Sequence, residues 1–147
     1  IDIVIHPQSI VHSMVEFNDG SIKAQMGVPD MKVPIQYALT FPFHSKSSWE
    51  RLDFLSCGDL TFQGPDYDRF PSLQLAYQAL KNGGTASAAL NLSNDYAVQK
   101  FLNNEIIFTD IYKINYLTLQ KHPWVKHPNL DDLRSLESWV KEHVNEF

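Results

Sequence analysis

Between Val11 and Phe17 the chain alternates, with Val11, Val15 and Phe17 on one side and His12, Met14 and Glu16 on the other. That is the period of a strand with one apolar and one mixed face. Ile22, Ala24 and Met26, set against Lys23 and Gln25, repeat it. Asn18, Asp19, Gly20 and Ser21 lie between, and such residues tolerate the positive φ of a tight turn. The pair reads as a hairpin, which is marginal alone and needs more sheet or helices to pack on. Upstream, Ile1, Ile3 and Ile5 alternate with Asp2 and Val4, a strand already in progress, and Pro7 ends it in a bend over His-Pro-Gln-Ser. A start of this kind, without polar lead-in, is expected of a piece of a longer protein.

From residue 27 to residue 71 the punctuation changes: Pro29, Pro34, Pro42, Pro65 and Pro71 break the stretch, with Ser45, Ser47 and Ser48 among them. A short helix over 33–39 is expected, with Pro34 in its first turn. The remainder reads as an extended connector, packed because it carries large apolar residues, with one short strand at most. After Pro71 the period becomes helical. Leu73, Ala76, Tyr77 and Leu80 form one stripe, with Ser72 as N-cap and Gly83-Gly84 as stop. Ala86, Ala89, Leu90, Ser93, Ala97 and Phe101 form the next. Ile111, Ile114 and Leu117 follow, capped by Thr109 or Asp110 and ended by Pro123. Leu133, Leu136, Val140 and Val144 complete the set, with Asp131 and Asp132 suited to the N-terminal dipole. The fold class is therefore α+β: an N-terminal hairpin or sheet remnant, a connector, then a C-terminal bundle of about four helices.

At 147 residues, 44% hydrophobic and 20% charged, the chain has ordinary globular composition. Its formal net charge of -5 argues against nucleic acid or an anionic membrane as main partner. The single cysteine, Cys57, permits no intramolecular disulfide and no thiolate metal site, and fits a reducing compartment. No apolar run approaches the roughly 18 residues of a membrane span.

Candidate chemistry centres on two histidines six positions apart, His6 and His12. They could be metal ligands, contacts to a substrate, or imidazoles hydrogen-bonded at a sheet edge or turn. A metal site needs three or four converging ligands, and no neighbouring motif completes such a set. His12 is the better functional candidate because it shares the mixed face with Glu16 and Gln25. His44 lies in the connector, while His122 and His127, flanking Pro-Trp-Val-Lys in a loop, and His143, on the outer side of the last helix, read as solvent-facing. "LKNGGTAS" looks like a glycine loop before a helix, a place for a phosphate. It lacks both GxGxxG and GK[ST], so it reads as a turn between helices. Asp66, Asp68 and Asp95 form no spaced acid–base pair. Residue logic ends at a chain without a self-contained active site.

Longer strings carry more. "HPQSIVHSMVEFNDGSIKAQMGVPDMKVPI" closely resembles the later part of the catalytic domain in the 1-deoxy-D-xylulose 5-phosphate reductoisomerase family. "LTFQGPDYDRFPSLQLAYQAL" and "TASAALNLSNDYAVQKFLNNEIIFTDI" resemble that family's connector and C-terminal helical domain. The resemblance runs through nearly the whole chain, in order.

It implies a division into residues 1–40, the close of the catalytic domain, 41–71, the connector, and 72–147, the helical domain. It implies an oxidoreductase that rearranges 1-deoxy-D-xylulose 5-phosphate and reduces it with NADPH to 2-C-methyl-D-erythritol 4-phosphate. That is a step of isoprenoid precursor synthesis, assisted by Mg2+, Mn2+ or Co2+ and run in a bacterial cytoplasm or plastid stroma. By the same resemblance His12 borders the substrate, Met31 lines the substrate side of the pocket, and His6 is structural. The family's dinucleotide-binding domain, acidic metal ligands, phosphate-gripping residues and mobile loop have no counterpart in these residues. Hence no cofactor or metal is expected on this chain alone, and the fragment is expected to be inactive. Asp95 stands where Glu is usual and Lys32 where Arg is usual. A homodimer through the N-terminal sheet is also implied. The rival reading is a non-catalytic dimerisation or scaffold module.

Overall fold

Strand β1 (Val11–Glu16) and strand β2 (Ile22–Met26) pair antiparallel in a computed structural model that describes residues 1–147. The turn between them works as its residues dictate. Gly20 takes φ +82°, its amide donates to the Phe17 carbonyl, and the Asp19 carboxylate accepts from the Ser21 amide and hydroxyl. Helices α1 (Lys32–Thr40), α2 (Ser72–Asn82), α3 (Ala86–Leu102), α4 (Phe108–Lys121) and α5 (Leu130–Asn145) follow, an α+β chain. It divides into two units, Ile1–Pro65 and Asp66–Phe147.

The first unit has little interior. Ile10 is its one buried hydrophobic residue, while Val15, Phe17, Ile22, Val33, Ile35 and Phe43 are exposed. The expected opening strand is absent as such. Ile5 forms a single antiparallel bridge to Gln63.

The second unit holds the core. Ala86, Ala89, Ser93 and Ala97 line the buried side of α3, and side chains this small let neighbouring helices approach closely. Ala89, Ala97, Ile114, Leu136, Val140 and Val144 form one cluster, and Leu75, Ala79, Ala86 and Leu119 another. Burial of each Leu, Ile or Val here contributes about 1.5–3 kcal/mol. Helix α2 turns a different stripe inward than its spacing suggests. Leu75 and Ala79 are buried, whereas Ala76 and Leu80 are exposed, because α2 carries two sets of apolar residues of helical period. Helix α5 is capped by Asn129, whose side chain accepts from the amides of Asp131 and Asp132, while Asp132 accepts from the Asn129 amide. At its far end the Lys100 ammonium donates to the Val144 carbonyl, satisfying an orphan acceptor. Two histidines read as solvent-facing are buried. His122 ends α4 with Nδ1 2.9 Å from the Leu119 carbonyl. His143 stacks on Trp139 and meets Phe147 edge-on, since position 143 continues the Leu136–Val140 face by one more turn.

Candidate functional site

The hairpin departs from simple alternation at one point. Val11 lies opposite Met26 and Ser13 opposite Gln25, so His12 is an extra residue with no partner across the ladder. This one-residue bulge changes which residues share a face. Met14 then sits opposite Ala24, Val15 opposite Lys23 and Glu16 opposite Ile22. Val11 therefore shares a face with Met14 and Glu16, not with Val15 as strict alternation requires. The His12 side chain is exposed and makes no hydrogen bond, ion pair or ring contact within the chain. Its imidazole is free to meet a ligand.

Met31 immediately precedes α1 and is 71% exposed. The backbone on either side of it is braced. The Asp30 carboxylate accepts from the Lys32 amide at 2.9 Å and pairs with the Lys32 ammonium at 3.0 Å. Those contacts, with the Lys32 amide hydrogen bond foremost, hold the Asp30 carboxyl below its ordinary range. The Lys32 ammonium also lies 5.6 Å from the centre of the Trp49 ring. An isolated exposed pair of this kind contributes little stability, and its effect is to order the start of the helix. Nothing in the spacing announced Trp49 as a partner; only the Asp before a helix start was a visible signal.

His6 is held from the connector. Its Nδ1 is 2.8 Å from the Thr61 carbonyl, so Nδ1 carries the proton and donates, and the ring stacks on Phe62 at 4.7 Å. Gln8 adds a hydrogen bond to the Thr61 hydroxyl, and Ile5 exchanges backbone hydrogen bonds with Gln63. No hydrogen bond, ion pair or ring contact joins His6, His12 and Met31 to one another.

The residues present do not assemble a metal site. No three His, Cys, Asp or Glu side chains converge. The glycine loop is closed by the chain itself. The Thr85 amide donates to the Val125 carbonyl and the Thr85 hydroxyl accepts from the Val125 amide, both at 3.0 Å. The Trp124 indole donates to the Gly83 carbonyl. An amide at the start of α3 that could face a phosphate is thus already taken. Grooves of about 260 Å³ in the second unit include one lined by Leu92, Leu130 and Leu133 and another by Ile106, Leu117 and Phe147. The first also has Asn91, Arg134 and Glu137 on its wall, and the second Asp110 and Lys113. No helix is long and apolar enough to cross a membrane.

Residues 26–143 match the family model described as the DXP reductoisomerase C-terminal domain. The 1-deoxy-D-xylulose 5-phosphate reductoisomerase of Heliobacterium modesticaldum is 49% identical over 99% of this chain and 37% of its own length. Enzyme 1 of that name from Bacillus thuringiensis subsp. konkukian is 48% identical over 100% of this chain and 38% of its own. Among solved structures, the Zymomonas mobilis reductoisomerase in complex with NADPH superposes with a TM-score of 0.88 at 41% identity, over 99% of this chain and 38% of that one. A DOX-P reductoisomerase in complex with NADPH, fosmidomycin and magnesium gives 0.86 at 38% identity, over 97% and 37%. The chain thus spans well under half the length of the relatives it matches.

Proposed function

Since this chain belongs to the 1-deoxy-D-xylulose 5-phosphate reductoisomerase family, we propose that it serves as the C-terminal part of such an enzyme. The reaction is conversion of 1-deoxy-D-xylulose 5-phosphate to 2-C-methyl-D-erythritol 4-phosphate, with NADPH as reductant and a divalent cation. The observation that carries this reading is the extent of the likeness, 41% identity over 99% of the chain to a reductoisomerase that binds NADPH. In this division of labour residues 1–40 close the catalytic domain, 41–71 connect, and 72–147 form the helical domain. The resemblance to the family assigns the cofactor and metal to the remainder of the enzyme, and the relatives with NADPH and magnesium bound support that division.

What this chain supplies is a wall. His12, unpartnered and exposed, offers one imidazole hydrogen bond to the substrate. Met31, 71% exposed, presents an adaptable apolar surface. His6 holds the bend before β1 against the connector. The exposed apolar residues of the hairpin, Val15, Phe17 and Ile22 among them, suit burial against a second copy, giving a homodimer through the N-terminal sheet. The working compartment is a bacterial cytoplasm or a plastid stroma.

A chimera tests this directly: this chain replaces the matching segment of the 49%-identical relative, and NADPH oxidation is followed with 1-deoxy-D-xylulose 5-phosphate. Turnover within about tenfold of the relative is expected. A folded, dimeric chimera without turnover would instead support a scaffold module.

A further inference from the structure

Residues 9–13 hold two backbone irregularities within five positions. Ser9 has φ +53°, a left-handed conformation that a residue with a Cβ adopts at a cost. Its amide closes the His6–Ser9 turn on the His6 carbonyl at 3.1 Å. Three residues later His12 is the unpaired extra residue of the ladder. Between them stands Ile10, 8% exposed, whose carbonyl accepts from the Gly27 amide at 3.0 Å and so carries the pairing past the end of β2. The first unit gains no interior from either irregularity, because Ile10 is its one buried hydrophobic side chain.

A bulge bends its strand, raises the local twist and re-aims a side chain. In a regular ladder His12 would lie opposite Gln25, and every later residue of β1 would change face. We propose that the bulge at His12, anchored by Ile10 and set by the left-handed turn at Ser9, is what presents this imidazole to the substrate, with Ser9 and Ile10 as positioning residues. The inference rests on the reading that His12 touches substrate. It adds that the reaction requires one particular register of the hairpin.

The full-length chimera tests it with three changes. Inserting one Ala between Gln25 and Met26 gives His12 a cross-strand partner and removes the bulge. The expected result is a kcat at least about tenfold lower with KM for NADPH unchanged, and no further loss when the insertion is added to His12→Gln. Ser9→Val, which resists positive φ, is expected to lower kcat in the same non-additive way, whereas Ser9→Gly, which accepts it, is expected to retain kcat. The Ser9 pair decides the matter if the insertion variant does not fold. Losses that multiply with that of His12→Gln, or equal kcat for Ser9→Val and Ser9→Gly, overturn the inference and leave the proposed function standing. A wild-type chimera without turnover overturns both.

Discussion

Gly84→Ala should be among the most damaging single-methyl changes in the helical unit, and its magnitude can be worked from the loop geometry. Gly84 has φ +55°, and a Cβ there would lie 2.3 Å from the Val125 carbonyl oxygen, 3.0 Å from Trp124 Nε1 and 3.1 Å from Trp124 Cε2. Relief requires the Val125 backbone to retreat by roughly 1 Å, since a side chain cannot swing a carbonyl aside. That movement breaks the paired Thr85–Val125 hydrogen bonds and the Trp124–Gly83 bond. Each is worth about 0.5–1.5 kcal/mol net, and the half-exposed indole belongs at the low end. The left-handed conformation costs an alanine about 1–2 kcal/mol more. Lower unfolded-state entropy returns about 0.4–1 kcal/mol. The net loss is about 3 kcal/mol, and at about 4–8 °C per kcal/mol for a unit of this size the midpoint falls by more than about 10 °C. Urea and thermal unfolding of the whole chain, followed by helical circular dichroism and Trp fluorescence, would measure it. A loss of about 1 kcal/mol or less would mean that the glycine is needed for its φ alone, and that the Val125 segment does not plug the start of α3.

Further outcomes are expected from the same structure. The isolated chain should show no saturable NADPH binding by fluorescence titration, and micromolar affinity would overturn the division of labour proposed above. In the chimera, His12→Gln should cost about ten- to a hundredfold in kcat/KM with a melting shift within about 0.5 kcal/mol, because an exposed side chain contributes little to packing. His6→Gln should do the reverse, lowering the midpoint through the lost Thr61 and Phe62 contacts while leaving kcat/KM nearly intact once folded. Asn115→Ala should cost about 2–4 kcal/mol in chemical unfolding, since Ser93 and Asn94 lose their buried partner and a cavity opens. The Asp110 carboxyl is held below its ordinary range by the Lys113 hydrogen bond first and the Ile107 amide second. Its folded value being the lower one, its contribution is present above the ordinary carboxylate value of 3.8 and fades as pH falls through the folded value. Asp110→Asn should therefore flatten the acid limb of the melting midpoint and leave its slope near neutrality unchanged.

The local code of this chain was sufficient for the hairpin and the helices, though not for the opening strand. Alternation around an Asn-Asp-Gly-Ser turn marks a hairpin locally, because those residues accept the turn's dihedrals at little cost. The small-residue stripe of α3 and the Leu133–Val144 stripe of α5 likewise give buried faces on their own. The strings around His12, Met31 and residues 65–69 were specific enough to point to the family that the matching domain and relatives then showed.

Other features were set by neighbours far along the chain. The bulge at His12 is invisible in alternation, since a one-residue slip leaves the same pattern to be read on either face, and only pairing with β2 fixes the register. In α2 two apolar stripes compete, and packing in the Leu75, Ala79, Ala86 and Leu119 cluster decides for Leu75 and Ala79. His122 and His143 look like surface residues until a helix end and an aromatic neighbour enclose them. The glycine loop looks open to an anion until the carbonyl of Val125, forty residues downstream of Thr85, takes its amide. Sequence fixes what each segment prefers locally. Which face is buried, which register holds and which donor is already taken are long-range questions, because each is decided by a partner the local pattern does not contain.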